Sequence, residues 1–77
     1  MAINELDRVV FTMGVPDEGL EAGDVGTVVH AYEDGGAFEI EVTTLDGRTA
    51  AVVTVEASGV RPVGRREITH ARELGTR

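Results

Sequence analysis

The chain contains no cysteine, which excludes disulfides, thiolate metal sites and cysteine nucleophiles together. It also contains no lysine. All seven basic residues are arginine, a uniformity that reads as compositional bias rather than as a device for phosphate recognition. No apolar run approaches the roughly 18 residues that a membrane-spanning helix needs, and the N-terminus M-A-I-N-E-L-D-R lacks the basic stretch and apolar core of a signal peptide. These absences predict a soluble, cytoplasmic protein with no membrane contact. Polar chemistry is equally thin: one serine, Ser58, and two histidines, His30 and His70, in separate parts of the chain.

What is present suits one small globular unit. At 77 residues there is room for a single core, and 42% hydrophobic residues place the chain with folded rather than disordered proteins. The charge is divided. Residues 1–63 carry twelve acidic side chains against Arg8, Arg48 and Arg61, a net of −9, whereas residues 64–77 carry four arginines against Glu67 and Glu73, a net of +2. An acidic body repels phosphate backbones, so binding of nucleic acid by the body is disfavoured.

Five short segments of β character alternate with turn signals, and no long helical periodicity competes with them. The first, about Leu6–Thr12, holds Val9-Val10-Phe11. The stretch G-V-P-D-E-G-L-E-A-G, residues 14–23, reads as a long loop. A second segment runs over Asp24–Tyr32, and Asp34-Gly35-Gly36 supplies a tight hairpin. In the third, Ala37–Thr44, Phe38, Ile40 and Val42 alternate with Glu39 and Glu41, the period of a half-buried strand. Asp46-Gly47 marks a second hairpin into Thr49–Val55, where Ala51, Val53 and Val55 continue the inward face. E-A-S-G, residues 56–59, turns the chain into a last short strand, Val60–Val63, which Pro62 confines to an edge. Residues 66–75 are too few for a helix that stands alone, and are expected to be helical only when held. The reading is an all-β, five-stranded SH3-like barrel over residues 1–63 with a basic tail over 64–77.

The runs L-D-R-V-V-F-T, G-L-E-A-G-D-V-G-T-V-V-H-A-Y, A-F-E-I-E-V-T-T-L-D-G and V-R-P-V resemble DUF4926, a bacterial family of small proteins of unknown function, across residues 6–63. Gly23-Asp24-Val25-Gly26-Thr27-Val28-Val29 is also similar to the glycine-containing turn and strand of KOW barrels and of the SH3-like domain in nitrile hydratase β subunits. The resemblance implies a fold and brings no catalytic residues with it. The KOW likeness would imply RNA contact through a basic loop, but here that loop holds Asp17, Glu18, Glu21 and Asp24.

Candidate sites reduce to surfaces. His30 and His70 lack convergent ligands for a metal, Ser58 lies in a tight turn where its hydroxyl can serve the backbone, and the loop carboxylates lack the spacing of a calcium loop. The glycines at 14, 19, 23 and 26 have neither the Lys-Ser or Lys-Thr nor the helix of a phosphate cradle, and Gly26 is expected to permit a bulge or a close backbone approach. Neither cofactor nor metal is expected.

Two faces remain. Ala50 and Val52 break the alternation by pointing away from the core, to be covered by the tail, by a second copy in a homodimer, or by another protein. Asp17, Glu18 and Glu21, with the outward Glu39 and Glu41, form an acidic surface suited to a basic partner. The expectation is a non-catalytic protein-interaction module or small accessory subunit. Its alternatives are an acidic neutraliser of a basic protein, in the manner of an antitoxin or immunity partner, and nucleic-acid binding through the arginines of the tail.

Overall fold

A computed structural model describes residues 2–75. Five antiparallel strands form one sheet in the order β4-β3-β2-β1-β5. They are β1 (Arg8–Phe11), β2 (Val25–Ala31), β3 (Ala37–Thr43), β4 (Thr49–Glu56) and β5 (Val60–Pro62). The chain is all-β, and its sheet curls over one core in the manner of an SH3-like barrel while remaining open between β4 and β5. Four of the strands lie within the spans that their apolar patterns predict, and β4 runs one residue past its span, to Glu56. Pro62 stands on the edge strand, where its missing N–H costs no ladder bond.

The turns follow from residues that tolerate left-handed backbone. Gly35 (φ 70°) and Gly47 (φ 94°) close the β2–β3 and β3–β4 hairpins and donate to the carbonyls of Tyr32 and Thr44. The loop after β1 is more than a connection. Pro16–Glu18 make a single 3-10 turn, Val15 and Leu20 bridge one another, and Leu20 is buried in the core.

The core is the inner face of the sheet: Val9, Phe11, Leu20, Val28, Phe38, Ile40, Val42, Ala51, Val53 and Val60. Ile40, at the middle of β3, is 0% exposed. On the neighbouring β2, Gly26 lies so close to β3 that a Cβ there would collide with Cγ2 of Ile40 and stand 3.0 Å from the Glu41 carbonyl oxygen. The bulge on β2 lies elsewhere. Val28 faces Ile40 while His30 faces Glu39, which leaves Val29 as the extra residue.

The tail departs from expectation. Residues 64–75 contain no helix, only a turn near Gly64–Glu67 followed by irregular chain. A helix here would have no face to bury: Ile68 is 91% exposed and its neighbours are exposed as well.

The fit of Gly26 against Ile40 gives a prediction in which two effects oppose each other. Alanine in place of a strand glycine gains about 0.5–1 kcal/mol of chain entropy, whereas overpacking a filled core costs about 1–3 kcal/mol. Because the clash involves backbone as well as side chain, overpacking wins, and Gly26→Ala should destabilise by about 1–2 kcal/mol, with Ile40→Ala costing about 3 kcal/mol through its cavity. Denaturant midpoints measure both, and a Gly26→Ala chain as stable as the parent would contradict the packing.

Candidate interaction surfaces

The outer face of β3 and β4 is built by register. Val42 stands opposite Ala51 and Thr43 opposite Thr49, so Ala50 has no counterpart on β3 and forms a β-bulge. The bulge leaves Thr49 and Ala50 both exposed, and from Ala50 onward the in-and-out alternation is regular. Ala51 turns inward and is buried, Ala50 is exposed, and Val52 points outward, 53% exposed. Val52 lies opposite Glu41, Glu41 opposite Thr27, and Thr27 opposite Arg8. The Thr49 hydroxyl donates to Oε2 of Glu41 (2.6 Å). Glu39 sits between His30 and Thr54 in the next row. Ala50, Val52, Glu39 and Glu41, read from sequence as parts of two surfaces, therefore share one face.

His30 is a surface packing residue. Its ring meets that of Tyr32 edge to face at 4.6 Å, and its Nδ1 lies 3.6 Å from Oε2 of Glu5. Ser58 is exposed in the turn before β5, and its carbonyl accepts the Thr12 hydroxyl (2.7 Å). Among the described residues no group of three or more His, Asp or Glu could hold a metal ion.

The acidic loop divides. Asp17 is exposed and Glu18 half-buried on the 3-10 turn. Glu21 and Asp24 instead face the chain's own tail. The guanidinium of Arg72 donates through Nε and Nη2 to the two carboxylate oxygens of Asp24 (2.9 and 2.5 Å) and through Nη2 to the Gly19 carbonyl (3.1 Å), with Oε2 of Glu21 at 3.7 Å from Nη1. Such a two-pronged guanidinium–carboxylate pair is the strong form of ion pair. Oδ2 of Asp24 also accepts the Glu21 N–H (2.7 Å), so the carboxylate is fixed before the arginine arrives.

A second tie holds the near end of the tail. Arg61 on β5 pairs through two N–H groups with Glu67 (2.9 and 2.6 Å), and Glu67 also accepts the Gly64 N–H (2.5 Å). These bonds hold the Glu67 carboxyl at about 2, below its usual 4.5. For Asp24, partial burial opposes ionisation, but the bonds from Arg72 and the Glu21 N–H outweigh it and the carboxyl is lowered.

The two ties bracket one residue. Val10 is 5% exposed yet belongs to no part of the inner cluster, because alternation turns it outward between Val9 and Phe11. Its neighbours across the ladder are Arg61, which holds Glu67, and Val25, which follows Asp24. Beside the ties, a groove of about 800 Å³ opens between the tail and the β3–β4 hairpin, with Val25, Leu45, Ala50, Ile68 and Leu74 in its walls. Sequence reasoning missed Arg72, since nothing in its neighbours marks one arginine of four. Val10 offered a signal: an apolar residue at an outward position calls for a cover.

The model of DUF4926, a domain of unknown function, matches residues 5–62. The chain belongs to the DUF4926 family. The match spans all five strands and ends where the tail begins, so the barrel is what this DUF4926 protein shares with its family, and Arg72 lies outside the matched residues. No curated protein and no solved structure matches the chain.

The ties should yield to acid. A carboxylate lowered by its partners stabilises the folded arrangement above its ordinary value and loses that contribution as pH falls through the folded value. For Glu67 the window runs from 4.5 down to about 2, and the lowered Asp24 follows the same sign. Amide NMR of residues 64–75 should therefore show the tail loosening as pH falls below about 4.5. A tail indifferent to acid would show that these bonds do not hold it.

Proposed function

We propose that the chain is a non-catalytic protein-interaction module or small accessory subunit that docks through the outer face of β4, with Ala50 and Val52 as its apolar centre and Glu39 and Glu41 as its polar flank. The observation that carries this reading is Val52, 53% exposed in the middle of a strand at the open edge of the sheet. An apolar side chain on an edge strand, next to a bulge and among polar neighbours, suits an interface whose centre excludes water and whose rim is hydrated. The groove beside Ala50 extends the same surface toward the tail.

The reading as an acidic neutraliser of a basic protein draws on the twelve carboxylates of residues 1–63, but Asp24 and Glu21 are engaged by Arg72. Glu39, Glu41 and Asp17 remain to face a basic partner. Engagement of Arg72 weighs in the same way against the tail as a nucleic-acid arm.

Affinity purification with the parent chain and with Val52→Glu tests the leading reading, because a charge at the centre of a desolvated patch costs far more than one at its rim. A defined companion retained by the parent, in salt as well as without it, and lost from Val52→Glu supports the β4 face. A companion lost in salt but kept by Val52→Glu supports the acidic surface instead. Identical recovery by both chains at every ionic strength, or no companion at all, counts against both.

A further inference from the structure

The tail has the properties of something held on rather than built in. Among the described residues it shares no backbone hydrogen bond with the barrel; its one backbone bond, Glu67 to Gly64, is internal. Its large apolar residues lie outside the core, and Ile68 is almost wholly exposed. What fixes it is side-chain chemistry at two points, Arg61 with Glu67 and Arg72 with Asp24, Glu21 and Gly19. The backbone of Gly75 comes within 4 Å of where a Cβ on Gly19 would stand, so the last described residue of the tail lies against the loop that holds Arg72. Strands in one sheet lie about 4.8 Å apart, so β5 and β2 are about 10 Å apart with β1 between them, a span that residues 67–72 cover easily.

We propose that residues 64–75 are a releasable strap, and that the strip beneath it is a docking site for an extended segment of another protein that presents an arginine in the place of Arg72. The strip is Val10 and Val25, flanked by Asp24 and Glu21. The strap itself shows what chemistry fits: an extended backbone, one guanidinium received by a fixed carboxylate and a carbonyl, and no need for a helix. Charge complementarity favours such a partner, since the barrel that offers this site carries a net of −9 over residues 1–63. The site shares its groove with Ala50 but does not include Val52, and its occupation competes with the strap. A tethered segment acts at an effective concentration on the order of millimolar, so a partner must displace it or meet a chain in which it is already released.

The test uses the full chain and a fluorescent peptide of residues 64–75 as the probe, followed by anisotropy. The Arg72→Ala chain, whose own strap is loosened, should bind the peptide at least about tenfold more tightly than the parent does. A peptide carrying Arg72→Ala should lose that binding, and so should a chain with Asp24→Asn, whose strap is loosened but whose site is damaged. Circular dichroism confirms that each variant keeps its sheet. Equal binding of the two peptides, or equal binding by the parent and Arg72→Ala chains, overturns the docking site.

Trypsin on the parent chain tests the strap without any substitution. Cleavage after Arg72 should lag behind cleavage after Arg65 and Arg66 at low salt and catch up at an ionic strength of about 1 M. Equal rates at low salt overturn the strap. A Val52→Glu chain should treat the peptide as the parent does, so failure of the β4 reading leaves this result intact, and the reverse holds as well.

Discussion

The fold depends on the packing of Ile40 against the bare backbone of Gly26. A chain with two phenylalanines, one tyrosine and no tryptophan cannot fill a core with large rings, so its sheet must curl tightly around aliphatic side chains. Gly26 lets β2 approach β3 closely enough for Ile40 to be sealed, and β3 thereby becomes the axis on which β2 and β4 both pair. Leu20 and Val60 complete the enclosure from outside the long strands. A side chain at position 26 would push the two central strands apart and loosen every contact that Ile40 makes.

Curling has a consequence for the surface. A sheet that bends needs irregular points, and this one has them at Val29 on β2 and Ala50 on β4, where one residue has no partner across the ladder. Each bulge resets the alternation of its strand. At Ala50 the extra residue leaves an apolar side chain on the outer face, two residues from Val52, which alternation turns outward opposite Glu41.

Much of this was legible in the sequence because the signals were local. Phe38, Ile40 and Val42 alternate with glutamates, and that period fixes both the strand and its buried face. Asp34-Gly35 and Asp46-Gly47 announce hairpins because left-handed backbone is costly for other residues, and Pro62 announces an edge. Leu20 was hidden for the opposite reason. It sits among glycines and charges in a segment whose composition reads as loop, and only the bridge to Val15 carries it inward. The surfaces were legible in part: the broken alternation at Ala50 pointed to β4, but the union of Val52 with Glu39 and Glu41 on one face needed the register. Arg72 was beyond reach, because 48 residues separate it from Asp24 and no periodicity links them.

The acidic body and basic tail are two halves of one arrangement. Separately, a net of −9 over residues 1–63 would set carboxylates of the loop against one another, and four arginines in a short tail would remain in solvent. In the structure the most enclosed of those carboxylates, Asp24, is the one that receives an arginine. Its burial alone would raise its carboxyl, and the guanidinium reverses the direction. Solvent-exposed ion pairs contribute little, so the outer tie between Arg61 and Glu67 steers the tail more than it holds it. The partly enclosed tie at Asp24 is the stronger of the two, and it sits at the far end of the tail. Among the described residues no buried contact holds the tail between the two ties, so loss of the Asp24 contact leaves only the exposed pair of Arg61 with Glu67.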